Sequence, residues 1–160
     1  SCLVGSEMCI RDSFQAVVTW SGALELNGAS LFAGTSFEDA YAQAKKEGFY
    51  TMTFDWREPL ELGERWFQEV AETNILKVTA DIKAPILAIN GKDDTTVTPD
   101  NAEKIVKAAA NADSQLLLVD NCDHTYNVFS GDFTALYQTV DATAAFFQAQ
   151  LIPAAAQAAA

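Results

Sequence analysis

The chain has a single histidine, His124, and only three cysteines, two of them within the first nine residues and the third, Cys122, on its own. No disulfide framework follows from that distribution. Basic residues are scarce: ten Lys and Arg stand against 22 Asp and Glu, a formal net charge of -12 with a pI near 4.2. A surface of that sign repels phosphates, so no nucleic-acid partner is expected. No apolar run reaches the roughly 18–20 residues of a membrane-spanning helix, so no membrane partner is expected either. A glycine-rich phosphate loop is missing, which argues against a flavodoxin-like or Rossmann-like nucleotide domain. Also missing is any Gly-x-Ser-x-Gly pentapeptide, the pattern that lifts a serine onto a sharp strand-to-helix turn. Gly34-Thr35-Ser36-Phe37-Glu38 comes nearest, but it lacks the final glycine.

What the chain does hold is enough apolar material for one core, 49% of 160 residues. The informative stretch is 85–127. Pro85-Ile86-Leu87-Ala88-Ile89 is an apolar run closed by Asn90-Gly91, the pattern of a strand buried on both faces. Turn formers follow in Lys92-Asp93-Asp94-Thr95-Thr96-Val97, then Thr98 and Pro99 in the places of helix cap and first helical residue. The helix, about 100–110, has Ala102, Ile105, Val106 and Ala109 on one face. A second strand, 115–119, runs into Asp120-Asn121-Cys122-Asp123-His124-Thr125-Tyr126-Asn127. Parallel strands joined by a crossover helix end on the same edge, so Asp94 and His124 should emerge there as neighbours. In open α/β sheets that edge is where ligands bind.

A histidine that takes a proton from a nucleophile needs a carboxylate on its other ring nitrogen, which holds the tautomer and stabilises the imidazolium. The run Pro-Ile-Leu-Ala-Ile-Asn-Gly-Lys-Asp-Asp-Thr-Thr-Val-Thr-Pro resembles the acid loop of α/β-hydrolases, an apolar strand followed by Gly-x-x-Asp-x-x-Val. Leu-Leu-Leu-Val-Asp-Asn-Cys-Asp-His resembles that superfamily's last strand and histidine loop, and acid before base is its chain order. The likeness runs over about 14–151. It implies a partial α/β-hydrolase fold, parallel strands with flanking helices and a cap insertion over about 24–80, with Asp94 as catalytic acid and His124 as catalytic base. The order of cap, acid loop and Asp-His-Thr-Tyr is similar to feruloyl or cinnamoyl esterases and dienelactone hydrolase-like proteins. Prolyl-oligopeptidase-like peptidases share it too. The expected partner is a small-molecule ester. Alternative readings are a peptidase, or a non-catalytic binder on the same fold.

The absent elbow then implies that the nucleophile lies upstream of Phe14, and that the 160 residues alone do not turn over. Residues 1–13 have neither helical nor strand period and resemble translated sequencing-adapter sequence, a non-native leader. The unpaired sheet edge left behind should make the chain prone to aggregation.

Residues 14–20 read as a strand closed by Ser21-Gly22-Ala23, with Ser21 a turn residue rather than a nucleophile. In the insertion, Ser36 caps a helix that Gly48 stops, residues 49–56 read as a strand or hairpin arm, and residues 64–72 as a helix. Its aromatics, Phe49, Tyr50, Phe54, Trp56, Trp66 and Phe67, either line a substrate pocket or form its own core. Trp56 and Trp66, with Tyr126 of the histidine loop, are the candidate substrate contacts. Asp132 caps a last helix whose core face reads as Phe133, Leu136, Tyr137, Val140, Ala144, Phe147 and Leu151. Pro153 ends it, and residues 154–160 form an alanine-rich tail. His124 with Asp93, Asp94, Asp120 and Asp123 offers oxygens for a hard cation, but their spacing matches no calcium loop, so no metal or other cofactor is expected.

Overall fold

The structure, a computed structural model, describes residues 14–25, 32, 34–55 and 57–151. Along the chain the elements are β1 Val17–Trp20, α1 Phe37–Glu47, β2 Phe49–Met52, β3 Leu60–Gly63, α2 Glu64–Glu72, α3 Ile75–Asp81, β4 Ile86–Gly91, α4 Asp100–Ala108, β5 Gln115–Val119 and α5 Thr134–Leu151. They form two compact units, one built on residues up to Leu24 and from Leu76 onward, the other on Glu25–Ile75. Residues 1–13, Trp56, Pro153 and residues 154–160 lie outside the described residues.

In the first unit, three strands make a parallel sheet in the order β1-β4-β5. Val17 stands level with Ile86 and Trp20 with Ile89, while Leu87 stands level with Gln115 and Gly91 with Val119. All six residues of β4 are buried. Its side chains alternate between faces: Ile86 and Ala88 pack on Ala102 and Ile105 of α4, and Leu87 and Ile89 on Val119, Ala135 and Phe146. Helices therefore cover both faces of an α/β sheet, which is why an uninterrupted apolar run suits β4. Each large side chain buried this way contributes about 1.5–3 kcal/mol.

Three expectations are corrected. The first strand begins at Val17 rather than Phe14, whose side chain is 45% exposed. Pro99 has helical dihedrals as expected, but the Thr98 hydroxyl bonds the Asp100 carboxylate and caps no backbone N–H. The largest difference is on α5. Its fully buried positions are Ala135, Thr139 and Phe146; Leu136 and Phe147 pack beside them as read from the sequence, with Ala142, while Tyr137 is 65% exposed and Val140 44%. Thr139 hides there by donating its hydroxyl to the Ala135 carbonyl at 2.9 Å. No described helix is long and apolar enough to cross a membrane.

The second unit has a core of its own. Ser36 Oγ accepts the Asp39 N–H at 3.0 Å and donates to the Asp39 carboxylate at 2.7 Å, and Gly48 closes α1 in the left-handed region with φ 90°. β2 and β3 pair antiparallel, so the hairpin arm read from the sequence finds its partner. Phe67 of α2 is fully buried, ringed by Phe32, Phe37, Tyr41, Tyr50 and Trp66.

Candidate active site

Two loops meet at the carboxyl edge of the sheet because Gly91 lets them. A Cβ at that position would lie 2.1 Å from the Cys122 carbonyl oxygen, so only glycine allows the loop after β5 to come this close to the end of β4. The Lys92 N–H donates to the Val119 carbonyl at 2.9 Å, and the Asp93 N–H to the Cys122 carbonyl at 3.1 Å. Those bonds lace the acid loop to the histidine loop.

Asp94 turns inward from this seam. Its Oδ1 accepts the Thr96 and Val97 N–H groups at 2.9 and 2.8 Å, which closes the turn. Its Oδ2 faces His124 Nδ1 at 2.9 Å. Asp93, one residue earlier, is exposed, whereas the Asp94 side chain is fully buried and that of His124 is 40% exposed. Asn90 braces the loop from beneath: its Nδ2 donates to the Val97 carbonyl at 2.9 Å and lies 3.5 Å from Asp94 Oδ2. Sequence reading passed over Asn90; its one signal is an amide closing an otherwise apolar strand.

The histidine loop is held by its own polar groups. Asp123 Oδ1 accepts the Thr125 N–H and hydroxyl, both at 2.8 Å, and the Asn127 N–H at 3.0 Å. The Asp123 N–H donates back to Asn127 Oδ1 at 3.1 Å. Asp123 is thereby spent on structure, and His124 is left with the Asp94 carboxylate on Nδ1.

Electrostatics follow from these contacts. Burial pushes the Asp94 carboxyl upward, but the hydrogen bonds from His124, Val97, Ser21 and Thr96 outweigh it and hold the group below its ordinary value of 3.8. The Asp123 carboxyl is also held low, first by the Asn127 N–H and then by Thr125. Burial, with Asp123, Asp94 and Asp93 nearby, pushes the Cys122 thiol up to about 11, so it stays protonated and unreactive. Among the described residues no group of three or more His, Cys, Asp or Glu side chains is arranged to hold a metal.

Of the candidate substrate contacts, Trp66 packs in the core of the second unit, 5.0 Å from Phe67 between ring centroids. Tyr126 is 6% exposed in the core of the first unit, with its phenol oxygen 3.1 Å from Ser21 Oγ. Trp56 lies outside the described residues. Ser21 sits at the end of β1 with φ 46°, a turn position as read from the sequence.

No family model and no curated protein matches the chain. Solved structures do. Est1E from Butyrivibrio proteoclasticus superposes with a TM-score of 0.62 at 19% identity, over 89% of this chain and 54% of that one. The same protein with ferulic acid bound gives 0.65 at 18% identity, over 89% and 52%. Alpha/beta hydrolase domain-containing protein 10 from mouse gives 0.53 at 14% identity, over 82% and 52%. The fold is that of the α/β-hydrolases, and the chain spans about half the length of the structures it matches. Within that fold the likeness extends to two structures of Est1E, one of them with ferulic acid bound.

Proposed function

We propose that the chain carries the acid and base of a serine hydrolase that cleaves small-molecule carboxylic esters through an acyl-enzyme. The observation that carries the reading is the 2.9 Å contact between a fully buried Asp94 carboxylate and Nδ1 of the half-exposed His124. With Nδ1–H donated to Asp94, the lone pair falls on Nε2. That nitrogen takes the proton of the attacking serine and then passes it to the departing alcohol. Water repeats the sequence on the acyl-enzyme. Asp94 stays ionised throughout and stabilises the imidazolium that forms at each transfer.

Two further points support the reading. Est1E binds ferulic acid, which favours an ester of an aromatic acid. The sequence has no Gly-x-Ser-x-Gly and the chain spans about half of Est1E, so the serine and its oxyanion donors are supplied by residues outside these 160. By itself the chain should not turn over.

The test is to join the chain to the coding sequence that precedes it and assay hydrolysis of short p-nitrophenyl esters and methyl ferulate. Activity should appear in the joined protein and vanish in His124→Ala. Unchanged hydrolysis in His124→Ala at neutral pH overturns the proposal.

A further inference from the structure

Asn90 is the one side chain of β4 that carries polar atoms, and it is fully buried in a strand whose other side chains, Ile86, Leu87, Ala88 and Ile89, are apolar. A buried amide costs free energy unless its groups find partners. Its Nδ2 faces three oxygens: the Val97 carbonyl at 2.9 Å, the Gly91 carbonyl at 3.2 Å and Asp94 Oδ2 at 3.5 Å. Three acceptors fix which end of the amide lies there, since an oxygen in that place would meet only oxygens. The other end, Oδ1, meets no donor among the described residues. An apolar side chain of similar size would fill the strand without leaving that acceptor orphaned. What the amide adds to packing is its hold on Val97.

Val97 is where that hold reaches the acid. Its N–H donates to Asp94 Oδ1 at 2.8 Å while its carbonyl accepts the Asn90 amide, so this one residue is gripped from the acid and from the strand. The near limb of the loop is tied down by backbone, with the Asp94 N–H on the Gly91 carbonyl at 3.3 Å. In the far limb Thr95 and Thr96 are exposed, and among the described residues it is the Asn90 amide that bonds this limb to β4. Without that bond the turn would rest on the carboxylate it has to orient. Burial pushes the Asp94 carboxyl up, and the bonds from His124 and then from Val97 lead those that bring it down.

We propose that Asn90 is a positioning residue for the acid: its amide pins Val97 to the end of β4 and so fixes the rotation of the carboxylate that turns Oδ1 to the loop and Oδ2 to His124. The direct approach to Oδ2, at 3.5 Å, is at the limit of hydrogen bonding, so Asn90 acts through Val97. The catalytic meaning rests on the hydrolase reading above, but the pin can be tested without turnover.

The experiment is nuclear magnetic resonance of the full chain at low salt, with labelled backbone, Asn side-chain amides, Asp carboxyls and histidine. With one histidine in the sequence, the ring signals need no assignment. The Asp94 carboxyl is identified by its loss in Asp94→Asn. In the wild type, a scalar coupling across the hydrogen bond should join Asn90 Nδ2 to the Val97 carbonyl carbon. Asn90→Leu removes both donors at similar size, and Asn90→Ala removes them without adding bulk.

In both variants the Val97 N–H should exchange with solvent roughly tenfold faster. Asp94 should titrate at a higher pH, and the His124 Nδ1–H resonance should shift or broaden. In an Asp94→Asn background the same substitutions should leave the His124 ring signals where Asp94→Asn alone puts them, because the path to the histidine runs through the carboxylate. A purely structural residue would lower the melting temperature and leave the Asp94 titration alone. A wild type with no coupling between Asn90 and Val97 overturns the proposal, as do folded variants in which Val97 exchange and the Asp94 titration are both unchanged. In the joined enzyme the two variants should lower kcat by about tenfold with KM little changed, the mark of a group that acts through its neighbour. A carboxyl shift in a joined protein that cleaves no ester would instead count against the hydrolase reading and leave the pin standing.

Discussion

A carboxylate taken out of water needs donors from the protein, and Asp94 finds them on its own loop and on His124. Its folded-state pKa lies below 3.8, so the sign of its pH effect is set. The stabilisation is fully present above the unfolded-state value and is lost as pH falls through the lower folded-state value. Acid unfolding below about pH 4 should therefore be shallower in Asp94→Asn than in wild type, although the variant is less stable at neutral pH. Urea midpoints measured across that range check this. In the joined enzyme Asp94→Asn should cut kcat by roughly 10⁴-fold. Asp93→Asn should leave it near wild type, because Asp93 is exposed and meets the histidine loop only through its backbone. Damage from Asp93→Asn with a mild Asp94→Asn would move the acid by one position.

Elements whose ends are marked by local chemistry matched their sequence reading. α1 begins at Ser36 and stops at Gly48, α2 covers Glu64–Glu72, and β5 covers Gln115–Val119. α3 went unread: seven residues, Ile75–Asp81, are too short to show a helical period. The face of α5 was misread in part: Leu136 and Phe147 pack on the core as read, but Phe133, Tyr137, Val140 and Leu151 are exposed and Ala135, Thr139 and Phe146 are buried instead. Phe146→Ala should cost about 3–5 kcal/mol. Tyr137→Ala should cost about 0.5 kcal/mol or less. Denaturant unfolding of the two variants separates the faces. At the seam between the loops, Gly91→Ala drives a Cβ into the Cys122 carbonyl and should destabilise by about 1–3 kcal/mol or more. The same change should weaken the His124 Nδ1–H resonance, since the two loops can no longer close on each other.

Across the molecule, charge and an open edge oppose each other. Among the described residues β1 pairs only with β4, so its outer edge presents unpaired backbone groups, with Trp20 exposed at its end and Phe14 exposed three residues before its start. A net charge of -12 keeps copies apart at low salt. Raising the salt shortens the reach of that repulsion from about 30 Å at 0.01 M to about 3 Å at 1 M. Sedimentation should show the average mass rising with salt, and again as pH approaches 4.2, where the net charge vanishes. A monomer under all these conditions would show that the edge is protected.

Sequence alone determined that this is an acidic α/β chain whose strand ends carry a carboxylate and a histidine about thirty residues apart. Strand period, turn residues and helix caps are local, and they act within a few neighbours along the chain. Only the tertiary structure decided how closely the Asp94 carboxylate faces His124, that Gly91 is the gap through which the loops meet, and that the Ser21 and Tyr126 hydroxyls stand side by side. Those facts depend on residues up to 105 positions apart being packed to within hydrogen-bond length, a distance no pattern along the chain encodes.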